Sequence, residues 1–193
     1  MKFIIMDTEF TCWKGSMENN WSENGEYREI IQISAAKIEV TNDYMEIVEY
    51  FDELVKPKIN PILSDYCKDL THIKQKDIIQ AYDYNDVMNR YKNFITENNK
   101  VLKNWSWGND IDVINENFYL IKKEKINENN FFDLTEIFKK NNIKCNTNSG
   151  NLYKLLNIKT DLIINEHNAM SDVLSLFISL KHFKKEINIK ELI

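Results

Sequence analysis

Asp7-Thr8-Glu9 places two carboxylates two residues apart. In extended backbone, residues i and i+2 point to the same side, so both acids emerge together. Carboxylates that close repel each other unless a cation lies between them. Alone, the pair reads equally well as two acids reaching solvent where a strand ends. A second acid, Asp110, opens a helical pattern in which Val113, Ile114 and Phe118 follow at three, four and eight positions. Those positions share one helical face, so Asp110 stands at the tip of an apolar stripe and points at the sheet it packs on. Asp112 competes for that role, but its matching positions are Asn115, Glu116 and Leu120, which favours Asp110. An Asp near a helix start is also a common cap; only at Asp110 would the cap be aimed at the core. Asp172 likewise begins a stripe of Val173, Leu176, Phe177 and Leu180, and His167 precedes it by five residues, off the helix or in its first turn. Three separate segments thus bring acid to the edge of an apolar surface, and the last adds an imidazole. Four carboxylates for two hard divalent cations, with a base for a water, are the components of two-metal phosphodiester hydrolysis.

The elements that must position these groups follow from hydrophobic periodicity. Residues 2–7 form a nearly continuous apolar run, as in a strand buried on both faces. Residues 29–40 and 44–55 predict two more strands, joined by the turn Thr41-Asn42-Asp43 and ended at Lys56-Pro57, where proline cannot continue a ladder. The chain therefore starts with a three-strand antiparallel meander. Helices are expected at 61–69, 75–79 and 84–97, a strand at 101–105, and a helix at 110–121. A strand at 131–134 should run into a helix to 140, followed by helices at 151–156 and 168–183. The pattern predicts an α/β fold, a mixed sheet with parallel strands added to the meander and helices flanking it. With no internal repeat or break in composition, residues 1–193 read as one domain. Residues 14–27 are longer and more polar than most strand connections yet contain Trp21 and Tyr27. They read either as a surface loop pinned by an aromatic or as a flap over the site, since they leave the strand carrying Asp7 and Glu9.

Composition sets the outer bounds. An apolar share of 43% and a charged share of 28%, with four Gly and two Pro, describe an ordinary globular chain and argue against disordered or collagen-like classes. Cys12, Cys67 and Cys145 form no Cys-x-x-Cys pair and read as reduced thiols. The apolar run at 3–6 is too short for a signal peptide or a membrane span, so the chain is expected in the cytoplasm and off membranes. A net charge of −5 disfavours a tight storage or regulatory nucleic-acid binder. It weighs less against a nuclease, because two bound dications add four positive charges and bring −5 to about −1.

The order Asp7-x-Glu9, then Asp110, then His167 with four residues before Asp172 resembles the DEDDh subgroup of the DnaQ-like 3′–5′ exonucleases, which have a ribonuclease H-like fold. Asp7-Thr8-Glu9-Phe10-Thr11-Cys12-Trp13 is similar to the first motif of the histone-mRNA and RNA-interference 3′ exonuclease branch and of KapD-type proteins. Arg28-Glu29-Ile30-Ile31-Gln32-Ile33-Ser34-Ala35, Leu54-Val55-Lys56-Pro57, Leu70-Thr71-His72-Ile73 and Ser106-Trp107-Gly108 match further landmarks. The chain departs at His72, where the family usually has Gly, and at Asp110, which follows Gly108 by two residues where the branch commonly has three.

The resemblance implies that Asp7, Glu9, Asp110 and Asp172 hold two Mg²⁺ or Mn²⁺ ions, with Glu9 and His167 as the catalytic pair. His167 would take a proton from the attacking water, a task suited to a group type that titrates near neutral pH. It further implies that Thr8, Phe10, Thr11, Leu70, Thr71, His72 and Trp107 meet the terminal nucleotide, though each also reads as core packing. The expected substrates are single-stranded RNA or DNA 3′ ends and the product a nucleoside 5′-monophosphate. The alternatives are a DNA-directed proofreading or repair exonuclease and a catalytically inactive module that grips a nucleic-acid end.

Overall fold

The three opening hydrophobic stretches form the expected antiparallel meander: β1 (Lys2–Phe10), β2 (Ile30–Val40) and β3 (Met45–Lys56). The computed structural model describes residues 1–162 and 165–193. In the β1–β2 register Lys2 lies opposite Glu39 and Asp7 opposite Ser34. The chain continues through α1 (Asp65–Thr71), α2 (Gln75–Gln80), β4 (Tyr82–Asp83), α3 (Tyr84–Phe94), β5 (Thr96–Glu97), β6 (Lys100–Val101), β7 (Asn104–Ser106) and α4 (Asp110–Leu120). Then come β8 (Phe131–Asp133), α5 (Leu134–Lys140), α6 (Leu152–Leu155), α7 (Ala169–His182) and α8 (Ile189–Leu192). Six strands make one mixed sheet in the order β4-β3-β2-β1-β7-β8, with β7 parallel to β1 and β8 parallel to β7.

Alternation along β1 divides the core. Phe3 and Ile5 face one side with Phe138 of α5 and Leu176 and Leu180 of α7. Ile4 and Met6 face the other with Val87 and Tyr91 of α3 and Ile114 of α4. A strand covered by helices on both faces must be apolar at every position, which is the pattern its sequence carries. Among the described residues no helix is long and apolar enough to cross a membrane.

Three expectations are corrected. The strand predicted over 101–105 is split: Val101 pairs with Thr96 in a separate hairpin, and only Asn104–Ser106 joins the main sheet. Asn98 and Asn99 both have positive φ (50° and 61°), the backbone of a tight hairpin turn, which ends the helix predicted over 84–97 at Phe94. Buried Asn104 enters the sheet with its side chain bonded on both sides, accepting from the Tyr91 hydroxyl (2.9 Å) and donating to Leu102 O (2.7 Å). The helix predicted at 61–69 starts instead at Asp65, because the Ser64 hydroxyl caps it by accepting from Cys67 N (2.9 Å).

Asn117, buried in α4, fixes the helix that carries Asp110. Its Oδ1 accepts from Ile30 N (2.9 Å), and its Nδ2 donates to Arg28 O (2.8 Å) and Val113 O (2.9 Å). Replacing Asn117 with Ala should lower unfolding free energy by about 2 kcal/mol, because a buried backbone N–H loses its acceptor. Urea denaturation reads this directly; Asn117→Leu, similar in size, should not recover the loss.

Candidate active site

Asp7 and Glu9 stand on one side of β1, as two residues separated by one must on a strand. Asp7, Glu9 and Asp172 each offer an oxygen within 4.8 Å of the others, and they are only 7%, 9% and 5% exposed. Asp172 arrives from the first turn of α7, whose stripe of Val173, Leu176, Phe177 and Leu180 is buried as the spacing predicts. The start of that helix is tied down twice. Asn168 caps it by accepting from Ser171 N (3.1 Å), and Gln32 of β2 accepts from Ala169 N (3.2 Å) while donating to Asp52 (2.8 Å).

Asp110 begins α4 and lines the same cavity. Its Oδ1 receives both the backbone N–H (3.1 Å) and the hydroxyl (2.6 Å) of Thr8. Asp112 is exposed, is hydrogen-bonded by Asn109 Nδ2 and lines a neighbouring cavity, so the helical-face argument picks the inward acid correctly. His167 is half-buried on the turn before α7, lines the cavity, and holds a left-handed backbone with φ 58°. A side chain in that conformation costs roughly 1–2 kcal/mol relative to ordinary backbone, and such outliers gather at functional sites.

The electrostatics follow from crowding acids away from water. Burial first, then the charges of Asp110 and Asp172, push Asp7 well above the ordinary carboxylate range. Burial, then Asp172 and Asp110, does the same to Glu9. Asp110 is pushed up by burial to about 6 even though the Thr8 hydrogen bonds pull it down. Asp172 is pushed up by burial to about 7, against the hydrogen bond from Ser149 (2.9 Å). Asp172 Oδ1 is buried and has no hydrogen-bond partner among the described residues. Three buried carboxylates with oxygens within 4.8 Å of one another form an all-oxygen donor set that fits a hard divalent cation.

The cavity encloses about 380 Å³. Of the residues expected to meet a nucleotide, Thr8, Phe10, Leu70 and Trp107 line it. The Thr8 hydroxyl is already committed to Asp110. Thr11 is buried, donating to Tyr27 O (2.5 Å) and accepting from Glu29 N (3.0 Å), and Thr71 is buried and donates to Cys67 O (2.8 Å). His72 lines a different cavity beside Asp52, Asp77 and Asn168. It caps the C-terminal end of α1 with φ 60°, a position where glycine carries no Cβ penalty.

The segment 14–27 is a loop pinned by an aromatic, and part of it reaches the cavity. Trp21 pins it, donating from Nε1 to Thr11 O (3.0 Å) and packing edge-on against Phe10 at 5.4 Å between ring centres. Trp21 and Met17 then form part of the cavity wall. Ser149, Gln32 and Arg28 also belong to the site or its frame but escaped sequence reasoning. Only Asn148, a helix-capping residue type before Ser149-Gly150, marked that stretch.

Comparison with known proteins places this architecture. The family model described as Exonuclease (RNase_T) matches residues 4–177. The 3′-5′ exonuclease eri1 of Schizosaccharomyces pombe is 29% identical over 131 residues, covering 55% of this chain and 40% of the relative. The Bacillus subtilis protein named "Probable 3′-5′ exonuclease KapD" is 30% identical over 115 residues, covering 59% of this chain and 51% of the relative. The chain thus spans about half or less of these relatives. Among solved structures, cell-death related nuclease 4 (CRN-4) superposes with a TM-score of 0.78 at 20% identity, covering 96% of this chain and 65% of that one. The nuclease domain of 3′hExo, described as a DEDDh family member bound to rAMP, superposes at 0.75 and 19% identity, covering 97% and 96%. The six-strand mixed sheet with its flanking helices is a ribonuclease H-like fold, shared with these solved structures. With the family match running across nearly all of the sheet and both acid-bearing helices, the chain belongs to the DnaQ-like (RNase_T) exonuclease family.

Proposed function

We propose that this chain is a 3′–5′ exonuclease that removes nucleoside 5′-monophosphates from single-stranded RNA ends, with residues 1–193 acting as one exonuclease domain in the cytoplasm. The observation that carries the reading is the meeting of Asp7, Glu9 and Asp172 from distant segments, their oxygens within 4.8 Å, in a cavity that Asp110 and His167 also line. RNA is preferred over DNA because similar proteins include ERI1 exoribonuclease 2 of Xenopus laevis, 33% identical over 92 residues. A neighbour bound to a dA16 oligonucleotide, Escherichia coli Exonuclease I, keeps DNA as the competing substrate.

On this reading Asp7, Glu9, Asp110 and Asp172 hold two divalent cations, Mg²⁺ or Mn²⁺. What the bound cations supply is positive charge at the scissile phosphate and a lowered pKa for the attacking water. His167 accepts the proton that the water loses as its oxygen bonds to phosphorus. The bond from phosphorus to the 3′-oxygen of the preceding nucleotide breaks, and that oxygen leaves with the electron pair and takes a proton from solvent to become the new 3′-hydroxyl. Glu9, beside Asp7 on the same strand face, keeps negative charge where the cations and the water must sit. Phe10, Leu70 and Trp107 present apolar faces on which any base can lie, which suits digestion without sequence preference.

Three outcomes test this. Asp7→Ala or Asp172→Ala should abolish divalent-dependent release of mononucleotides from an end-labelled oligonucleotide. A fully active Asp7→Ala protein would defeat the metal assignment. His167→Ala should slow turnover by roughly 10²–10⁴, as for a lost general base, with the thermal unfolding midpoint unchanged. Matched RNA and DNA oligomers with free 3′ ends distinguish the two substrates, and failure to digest either leaves a binding module.

Stability should also depend on pH with a definite sign. Carboxyls whose folded pKa is raised favour the folded chain while protonated. That contribution is complete below the ordinary carboxyl range and is lost as pH rises through about 6 for Asp110 and about 7 for Asp172. The stabilisation that millimolar Mn²⁺ gives to chelator-stripped protein should therefore grow from pH 5 to pH 8 in thermal melts. A cation effect that is flat or shrinking across that range contradicts the site's electrostatics.

A further inference from the structure

We propose that the Ser149-Gly150 turn is a positioning device that makes Asp172 a one-oxygen ligand and so tunes the site toward small divalent cations. The inference rests on the divalent-cation reading above, and its test separates the two. Ser149 Oγ donates to Asp172 Oδ2 (2.9 Å), while Oδ1 stays buried without a hydrogen-bond partner among the described residues. Ser149 is itself held from α7: the Ser175 hydroxyl, three residues beyond Asp172 on the same helical face, donates to Ser149 O (2.6 Å). The helix that supplies the carboxylate therefore also fixes the hydroxyl that orients it. Ser149 and Asp172 are buried and Ser175 is fully so, so water does not compete for these bonds.

Gly150 completes the device by what it lacks. A Cβ there would overlap Asp172 Oδ1 outright and stand 3.3 Å from its Cγ. Its φ lies outside the left-handed region, so backbone conformation does not require glycine; the neighbouring carboxylate does. The turn is braced in turn by Asn148, which accepts from Asn151 N (2.9 Å), and by Asn151 Nδ2, which donates to Glu166 (2.6 Å), the residue before His167. One short turn thus abuts the carboxylate of α7 and the segment that presents the imidazole.

With Oδ1 closed off against Gly150, Oδ2, the oxygen that Ser149 orients, is the one Asp172 has left to offer a cation. That matches Mg²⁺ or Mn²⁺, whereas Ca²⁺ readily takes both oxygens of a carboxylate. Calorimetric titration of chelator-stripped protein with Mn²⁺ and with Ca²⁺ tests the assignment without reading activity. Ser149→Ala should weaken Mn²⁺ binding by about 10- to 100-fold, the usual effect of removing a group that orients a ligand. It should weaken Ca²⁺ binding less, so that the Mn²⁺ preference falls, and Ser149→Thr, which keeps the hydroxyl, should restore it. Unchanged Mn²⁺ affinity in Ser149→Ala overturns this proposal alone. Absence of Mn²⁺ binding by the unaltered protein overturns the cation reading and this proposal with it. A second arm needs no metal: Gly150→Ala should lower the thermal midpoint, and adding Asp172→Ala should restore it by removing the overlapped carboxylate. Equal destabilisation with and without that carboxylate refutes the contact on which the device depends.

Discussion

Carboxylates packed side by side away from water repel one another and lose hydration at the same time, so the fold must hold them together against both penalties. Asp7, Glu9 and Asp172 meet under that constraint, with Asp110 close enough to raise all three further. The protein answers only part of the cost internally. Thr8 donates twice to Asp110 and Ser149 once to Asp172, and all four carboxyls remain pushed up by burial. Buried acids left in this state favour positive charge beside them. Folding energy from elsewhere in the molecule keeps the acids in place.

That energy comes from the apolar faces of the same elements. β1 is buried on both sides, α4 packs through Val113, Ile114 and Phe118, and α7 through Val173, Leu176, Phe177 and Leu180. Each of these faces ends in an acid, so the stripe that seats the helix also aims the carboxylate. Polar anchors refine the placement at the points where a small slide would matter most. Asn117 locks α4 to the edge of β2, and Gln32 links the start of α7 to the same strand. β2 carries no site acid, yet both acid-bearing helices are referenced to it.

Legibility in the sequence followed physical range. Asp7-x-Glu9, Asp110 and Asp172 were readable because local periodicity sets which way a strand or helix residue points, and the structure keeps that direction in each case. Asp110 over Asp112 was decided by helical phase alone. Contacts made across the fold left no such trace. Ser149 and Gly150 sit in a polar stretch whose composition reads as ordinary loop, and their roles appear only when α7 is packed against them. Asn117 falls on the inward face of α4 by helical phase, but its residue type gives no hint of the strand backbone its side chain bridges. The split of the predicted 101–105 strand turns on two Asn residues in positive φ, a local signal that apolar Val101 and Leu102 outweighed. Thr11, Thr71 and His72 fall in stretches that resemble family motifs, but resemblance carries no burial information, and none of the three lines the cavity.

The cavity itself is a consequence of unequal strand lengths. β7 pairs with β1 only at Ile4 and Ile5, whereas β1 continues to Phe10. Past Ser106 the chain leaves the sheet at Gly108, whose φ of 92° admits the turn and whose N–H donates to Asp133 (3.0 Å). Asp7 and Glu9 therefore lie on the stretch of β1 whose parallel neighbour has gone, at the carboxyl end of the strand where open α/β sheets hold their ligands. Thr8, between the two acids, bridges the resulting gap by bonding Asp110 at the start of α4. The gap is thus spanned at one point and open on either side of it. A longer β7 would fill the space with ladder hydrogen bonds, and a shorter β1 would leave the acids in solvent. The mismatch between these two strands is what gives the carboxylates both burial and access.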